Sequence, residues 1–253
     1  MSVPVLWQFR QSHFNDKARW ALDYKAIPHV RRSLLPGLHI PRVFWMTGQK
    51  SVPVLSFDGR IIADSTRIIA ALEAAHPEPP LYPANPAERD RALALEEFFD
   101  EELGPHLRRA LFAALLPETD YAAALITTGF PAPTRWMYRA AFPAIRLAMR
   151  FDMGIDERRA ARSRERVLAA LDRIEAELQP SGYLVGDRFS VADLTAAALL
   201  SPLVWPPEFP YALPSPLPER AASYRASLAD RRACGWAADM YRRHRGRSVE
   251  IAA

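Results

Sequence analysis

Short blocks of apolar residues, separated by polar and turn-forming residues, predict a small mixed α/β unit at the start of the chain. Residues 3–9 form an apolar run typical of a buried strand, and residues 15–25 carry apolar side chains at helical spacing. Residues 29–33 are a candidate second strand. The segment 34–50 contains two prolines and two glycines, so we predict a loop there with at most one irregular turn of helix.

Two further strand-like runs, 52–57 and 60–63, flank an Asp-Gly pair. This dipeptide between β-rich segments is a strong hairpin signal, because both residues tolerate the left-handed backbone of a tight turn. Apolar residues at helical spacing follow, and Asp64 and Ser65 stand where that helix begins. We therefore predict a β-α-β start, then a hairpin and a helix.

The rest of the chain has a helical pattern that begins after a proline-rich segment. Residues 76–86 contain five prolines, which sustain neither a helix nor a central strand, so this segment is a predicted linker. The clearest helix spans 157–178, and another begins near Ser190. The proline-rich stretch 202–218 is a predicted surface loop. The order of elements indicates an α/β domain followed by an all-α domain.

The predicted boundaries are 1–79 for the α/β domain, 80–86 for the linker and 87–253 for the helical domain. A chain of 253 residues is long enough for two domains with a sizeable core. Hydrophobic residues make up 49% of it, which is too many for a disordered chain.

Composition excludes several classes of protein. The formal net charge is only +4 and the arginines are scattered among acidic residues, so charge gives no argument for nucleic acid. Cys234 is the single cysteine, which rules out an intramolecular disulfide, a C-x-x-C pair and a cysteine-based zinc site. We find neither a signal-peptide pattern nor an apolar run long enough to span a membrane. We expect a cytoplasmic protein with no metal.

The first chemical signal is the proline of the sequence SVPVL, residues 51–55. Proline donates no hydrogen bond to a sheet, so Pro53 lies either on an edge strand with a trans bond or after a cis bond. A cis Val52-Pro53 bond would turn the backbone of Val52 outward, toward an extended peptide ligand. The sequence leaves both alternatives open.

The second signal is the predicted helix start at Asp64 and Ser65. A helix N-terminus offers unpaired N–H groups and the positive end of the helix dipole, which together with the Ser65 hydroxyl can hold a carboxylate. The Asp64 carboxylate can accept from an ammonium group, or it can simply cap the helix.

Together these motifs resemble the glutathione S-transferase superfamily. The resemblance implies a thioredoxin-like N-terminal domain, an all-helical C-terminal domain and glutathione as co-substrate. SVPVL is similar to the cis-proline motif of the family, and ADSTRII at 63–69 is similar to its acidic-Ser signature. The resemblance assigns the binding of glutathione to Lys50, Val52, Pro53, Asp64 and Ser65.

The segment SHFNDKARWAL, residues 12–22, resembles the stretch after the first strand in serine-type members of the family. Ser12 falls on the catalytic position, whereas His13 replaces the proline that is usual there. Gln8 falls where other members carry a catalytic tyrosine. Asn15 is an alternative donor to the glutathione sulfur. Farther on, GYLVGDRFSVADL at 182–194 is similar to the folding motif of the C-terminal domain.

The implied reaction is attack by the glutathione thiol on a small hydrophobic electrophile, with Ser12 as the hydrogen-bond donor that favours the thiolate. Aromatic residues line pockets for such substrates, although plain core packing explains each of them as well. The candidates are Phe14, Phe112, Trp136, Tyr138 and Trp205. The resemblance further implies a homodimer.

Two other functions stay open at this point. The chain could be a non-catalytic binding or regulatory protein that keeps the fold, since a fold does not determine a function. It could also use glutathione for reduction, which the absence of a cysteine at position 12 disfavours. Residues 131–151 interleave arginines with apolar residues and predict an amphipathic surface helix, either fully solvated or in contact with a membrane.

Overall fold

The computed structural model describes residues 3–252. Within this range the N-terminal unit is one four-stranded sheet with three helices, as the fold class predicted from the sequence requires. Its elements are β1 (Val5–Gln8), α1 (His13–Tyr24), β2 (Val30–Ser33), α2 (Ile40–Thr47), β3 (Val54–Phe57), β4 (Arg60–Ala63) and α3 (Ser65–Ala75). The strand order is β2-β1-β3-β4. Strand β1 runs parallel to β2 and antiparallel to β3, which pairs antiparallel with β4.

The Asp-Gly pair makes the predicted hairpin between β3 and β4. Asp58 and Gly59 both have positive φ angles, 48° and 73°, as a two-residue turn that matches the strand twist requires. The register pairs Phe57 with Arg60 directly across this turn. The prediction of a hairpin is confirmed.

The segment between β2 and β3 differs from the predicted loop. Residues Ile40–Thr47 form a helix of eight residues. Pro41 lies in its first turn, where its missing N–H costs nothing, and Gly48 ends it with a φ of 72°. Proline and glycine therefore bracket a regular helix, so the prediction of a loop with one irregular helical turn was wrong.

The remainder of the described chain is helical. A π-helical segment, Phe99–Leu103, joins two of its helices. The helices are α4 (Pro86–Phe98), α5 (Gly104–Leu115), α6 (Thr119–Ile126), α7 (Ala132–Asp152), α8 (Glu157–Glu177), α9 (Val191–Val204), α10 (Glu219–Ala226) and α11 (Arg232–His244). None of the helices within residues 3–252 is long and apolar enough to cross a membrane.

Helix α9 is the centre of the helical domain, and almost every residue in it is buried. The predicted capping box starts it: the backbone N–H and the hydroxyl of Ser190 donate to the Asp193 carboxylate at 2.9 and 2.8 Å. The N–H of Leu184 donates to the other oxygen of Asp193 at 2.8 Å. Pro202 lies inside α9, so the loop predicted over 202–218 begins only after Val204.

One large core joins the two domains, because α1 packs on both α3 and α9. Trp20 of α1 is fully buried, packs on Phe189 and Tyr241, and donates its indole N–H to the carbonyl of His244 at 3.0 Å. Helices α6 and α7 form a second, smaller cluster against Leu35 of the segment between β2 and α2. The pair α6–α7 therefore contacts the N-terminal domain on the side of α2.

Candidate functional site

Three segments singled out in the sequence meet at one end of the sheet. The register pairs Trp7 near the end of β1 with Val54 at the start of β3, and Val54 with Ala63 at the end of β4. The β1–α1 loop, the Val52-Pro53 pair and the Asp64-Ser65 pair consequently all lie beyond this end. Helices α1 and α3 both begin there, so their positive dipole ends are at the site.

Ser12 is the N-cap of α1. Its hydroxyl oxygen accepts the backbone N–H of Asn15 at 3.4 Å, and its backbone is extended, as an N-cap requires. An acceptor role for the oxygen leaves the hydroxyl proton available to another group. Ser12 is half-buried, so a ligand can reach it.

Asn15, the alternative donor, is fully buried inside the loop. Its side-chain oxygen accepts the N–H of Phe9 at 3.3 Å, and its amide nitrogen is shielded from solvent with no partner within residues 3–252. A nitrogen without solvent access is poorly placed to meet the sulfur of a ligand. The side-chain amide of Asn15 is thus less accessible to a ligand than the hydroxyl of Ser12.

His13 occupies the first position of α1 and is buried beside Phe14. Burial, with a smaller contribution from the positive charge of Arg108, lowers the pKa of His13 to about 3. The dipole of α1 acts in the same direction, because it opposes a cation at the helix start. The imidazole is therefore neutral near pH 7.

Arg19 holds the backbone of the β1–α1 loop in place. It is fully buried and donates to the side chain of Gln8 at 2.7 Å and to the carbonyls of Phe9 and Ser12 at 3.3 and 3.5 Å. Asp16 balances its charge at 3.1 Å. The arginine of the sequence motif is thus a positioning residue for the loop that ends at Ser12.

The peptide bond between Val52 and Pro53 is cis. The carbonyl of Pro53 accepts the backbone N–H of Asp64 at 3.3 Å, which links the segment around the cis bond to the start of α3. Val52 is half-buried at this junction, and Pro53 is buried.

Asp64 is the N-cap of α3 and has a φ of 85°, an unusual angle for a residue other than glycine. One carboxylate oxygen accepts the N–H groups of Thr66 and Arg67 at 2.9 and 3.2 Å. The other oxygen accepts no hydrogen bond from residues 3–252, and the side chain is exposed, so the carboxylate has capacity for a ligand cation. Ser65 is the first residue of α3 and is buried.

A buried charge network, which the sequence did not reveal, holds the start of α3 against the helical domain. Lys17 is fully buried and lies 2.8 Å from Glu96, 2.6 Å from Asp100 and 2.8 Å from the hydroxyl of Thr66. Its partners are 49 to 83 residues away in the chain. Only the tertiary fold brings them together, so no local pattern could have signalled this network.

Lys50 forms an ion pair with Asp152 at the end of α7. Both side chains are more than half exposed, 59% and 55%, and an exposed pair of this kind is worth at most about 1 kcal/mol. A carboxylate ligand can therefore compete for Lys50 at little cost. The backbone carbonyl of Lys50 accepts from the ring of His39 at 2.9 Å, which holds this segment next to α2.

The five aromatic pocket candidates lie in different surroundings. Phe14 packs against the main core and Gly104, and Trp205 packs on Phe209. The other three belong to the α5–α7 region, where Phe112 joins the small cluster, Tyr138 is buried and donates to the Pro36 carbonyl at 3.2 Å, and Trp136 is 75% exposed. A single hydrophobic pocket built from all five stays a prediction.

A cavity of about 730 Å³ opens elsewhere, at the β2 side of the sheet, and none of the five aromatic candidates lines it. Its charged lining residues are all arginines: Arg10, Arg31, Arg32 and Arg42. Within residues 3–252 we find no group of His, Cys, Asp and Glu side chains suited to a metal ion.

Two models of known families match the chain. The glutathione S-transferase N-terminal domain matches residues 6–80, and the glutathione S-transferase C-terminal domain matches residues 137–222. Taken with the fold and the arrangement of the motifs, these matches show that the chain belongs to the glutathione S-transferase superfamily.

Individual relatives are distant. The maleylacetoacetate isomerase of Dictyostelium discoideum is 27% identical over 143 residues, which cover 50% of this chain and 63% of that protein. The match thus spans less than two thirds of the length of this curated relative.

Solved structures share the fold over nearly the whole chain. A glutathione S-transferase from Rhodospirillum rubrum F11 is 22% identical with a TM-score of 0.60, and covers 92% of this chain and 90% of its own. A glutathione S-transferase from Methylobacterium radiotolerans, in complex with glutathione sulfonate, is 22% identical with a TM-score of 0.55. The match covers 100% of this chain and 97% of that protein.

Proposed function

We propose that this protein is a glutathione-dependent transferase in which Ser12 activates the thiol of glutathione for attack on a small hydrophobic electrophile. The observation that carries the proposal is the position of the Ser12 hydroxyl at the start of α1, where its oxygen accepts from Asn15 and its proton is free. This hydroxyl lies at the same end of the sheet as Val52 and Asp64.

Glutathione supplies the thiol nucleophile, and the chain supplies its orientation and the shift of its pKa. A free thiol with a pKa near 8.5 is only about 3% thiolate at pH 7. A hydrogen bond from Ser12 to a charged sulfur stabilises it by about 1.5–3 kcal/mol, and the dipole of α1 adds about 0.3–1 kcal/mol. The sum is enough to lower the pKa of the bound thiol by about two units, since one unit equals 1.36 kcal/mol.

The remaining groove residues hold the rest of the tripeptide. The backbone of Val52 pairs with the cysteinyl unit, next to the buried ring of Pro53. The free carboxylate oxygen of Asp64 accepts from the γ-glutamyl ammonium group, and the start of α3 at Ser65 receives the γ-glutamyl carboxylate. Lys50 leaves its exposed pair with Asp152 to meet the glycyl carboxylate.

Isomerisation is a second candidate reaction, because the relative from Dictyostelium discoideum is a maleylacetoacetate isomerase. The two reactions differ in their use of glutathione: an addition consumes one glutathione per product, whereas an isomerisation returns it. We assay a panel of electrophiles, with maleylacetoacetate among them, and follow the concentrations of product and free glutathione together.

The test of Ser12 uses two substitutions with different structural effects. Ser12→Ala removes the hydroxyl and the helix cap, which costs about 0.5–2 kcal/mol of stability. Ser12→Asp keeps a good cap but has no proton to donate and repels a thiolate. We expect both variants to bind immobilised glutathione and to lose turnover about 25-fold at pH 7, because the thiolate fraction of the bound thiol falls from about 76% to about 3% when its pKa returns from about 6.5 to about 8.5.

The matched control is Ser223→Ala on α10, an exposed serine far from the groove in sequence. It should retain full turnover. Retention of glutathione by the wild-type chain without turnover on any electrophile would support a non-catalytic binding protein instead. Turnover that survives in Ser12→Asp would refute the role of Ser12.

The homodimer and the cytoplasmic location are inferred from the family alone. Light scattering at several protein concentrations tests the dimer, and fractionation of the source cells tests the location.

A further inference from the structure

Helix α7 presents three distinct stripes along its 21 residues. Residues three and four apart share one face of a helix, so each stripe is one face. The inner stripe packs on the small core cluster and consists of Tyr138, Phe142, Ile145 and Met149. The arginine stripe consists of Arg135, Arg139, Arg146 and Arg150. The outer stripe consists of Trp136, Ala140, Pro143, Leu147 and Phe151.

The outer stripe is apolar and faces solvent. Trp136 is 75% exposed, Leu147 69% and Phe151 91%. Single exposed apolar residues are ordinary on a protein surface, but a continuous stripe of large ones marks a binding face. The stripe lies opposite the inner one, so folding of this chain alone leaves it uncovered.

The arginine stripe borders this face and keeps positive charge available. Arg139 pairs with the exposed Asp120 at 2.9 Å, and Arg146 donates to the hydroxyl of Thr119 at 3.3 Å. Arg135 and Arg150 form no ion pair with residues 3–252. The sequence of α7 contains a single acidic residue, and it pairs with Lys50. The face therefore combines apolar side chains with unneutralised cations.

Helix α2 lies near the end of α7 and has exposed aromatic residues of its own. The ion pair between Lys50 and Asp152 joins the segment after α2 to the end of α7. Helix α2 exposes Phe44 and Trp45, the latter by 88%, together with Arg42. Asp152 lies three residues after Met149, on the inner side of α7, so this contact does not make α2 part of the outer face.

We propose that the outer face of α7 binds an anionic phospholipid surface. A helix with apolar and aromatic residues on one side and arginines beside them lies in the plane of the headgroup region, with the apolar stripe buried just below it. Tryptophan favours this depth, and arginine forms paired hydrogen bonds with phosphate groups. The proposal is independent of the glutathione reaction.

A second copy of this chain fits the face less well. In an antiparallel two-fold contact the same stripe meets itself, and the arginine stripes of the two copies lie on the same side of the contact. The outer face offers no acidic stripe to receive them. A negatively charged membrane buries the apolar stripe and also supplies anionic headgroups to the arginines.

The test is flotation of the full chain with two kinds of vesicle, one of pure phosphatidylcholine and one that also contains phosphatidylserine. We expect the wild-type chain to float with the anionic vesicles and to bind them less tightly as salt is raised. Weak or no flotation is expected with the neutral vesicles.

Two double variants remove one contribution each. Arg135→Gln with Arg150→Gln should weaken binding to anionic vesicles about 25-fold, because each arginine contributes about fivefold, and should reduce the dependence on salt. Leu147→Ser with Phe151→Ser should weaken binding to anionic vesicles at least about tenfold, because these two apolar side chains are no longer buried in the membrane. Neither pair is buried in the fold, so circular dichroism and melting should match the wild type.

Matched controls lie on α8, where Arg158→Gln with Arg162→Gln removes two exposed arginines and Leu168→Ser removes an exposed leucine. These variants should float like the wild-type chain. The proposal is overturned if the wild-type chain floats with neither vesicle or if the α8 controls lose binding as strongly as the α7 variants. It is equally overturned if the α7 variants leave flotation intact and instead lower the molar mass in light scattering, because a second copy would then cover the face.

Discussion

The neutral, buried imidazole of His13 should make the folded protein sensitive to acid. In the unfolded chain its pKa returns to about 6.5, whereas in the folded protein burial holds it at about 3. Between these values the unfolded state binds a proton that the folded state does not. The stability contributed by neutral His13 is therefore complete above pH 6.5 and is lost as the pH falls toward 3.

The size of the effect follows from these two pKa values. Between pH 7 and pH 5, linkage gives a loss of about 2 kcal/mol in the free energy of unfolding from this one residue. The variant that removes it is His13→Pro. Proline suits the first position of a helix, and the extended backbone of Ser12, with a φ of -81° and a ψ of 126°, is the conformation that a following proline requires.

The assay is urea unfolding of both chains at pH 7, 6 and 5. Between pH 7 and pH 5 the free energy of unfolding should fall by about 2 kcal/mol less in the variant than in the wild type. This difference does not depend on the variant's stability at pH 7. Phe14→Leu is the control, because it changes the neighbouring side chain but keeps the imidazole. Its free energy of unfolding should differ from that of the wild type by the same amount at every pH. Parallel pH profiles for His13→Pro and the wild type would refute the reasoning.

Two further predictions concern the packing between the domains and the groove. A methyl group on Gly104 would lie 2.4 Å from the ring of Phe14, so Gly104→Ala should lower the free energy of unfolding by about 1–3 kcal/mol. A methyl group on Gly235 of α11 would meet no atom within 4 Å, so Gly235→Ala should raise the free energy of unfolding by about 0.5–1 kcal/mol. Equal effects of Gly104→Ala and Gly235→Ala in urea unfolding would contradict the close contact between Gly104 and Phe14. Asp152→Asn should change stability by less than about 1 kcal/mol and tighten glutathione binding up to about fivefold in calorimetry, because it frees Lys50. Weaker binding in that variant would show that Lys50 has another role.

Local signals in the sequence predicted the elements that local physics determines. The Asp58-Gly59 turn, the capping box at Ser190 and the long helix of α8 depend on neighbouring residues, and the structure shows all three. Helix α2 was missed because the helical preference of Ile40–Thr47 is weak beside the proline and glycine that bound it.

Features that depend on distant residues could not be predicted in this way. Lys17 and Arg19 carry charges, which normally predict exposure, yet both are fully buried among partners supplied by other elements. The pairing of Lys50 with Asp152 spans 102 residues, and nothing in either neighbourhood indicates it. The positions of Ser12, Val52 and Asp64 are a different case, since their motifs are local and the sheet register then brings them to one end.

The most direct measurement is the pKa of the glutathione thiol when it is bound to the protein, followed through the ultraviolet absorbance of the thiolate as the pH is raised. The account predicts a pKa about two units below that of free glutathione for the wild-type chain, and a return to the free value or above it in Ser12→Asp. A bound thiol that titrates like free glutathione in the wild-type chain, or identically in both chains, would contradict it.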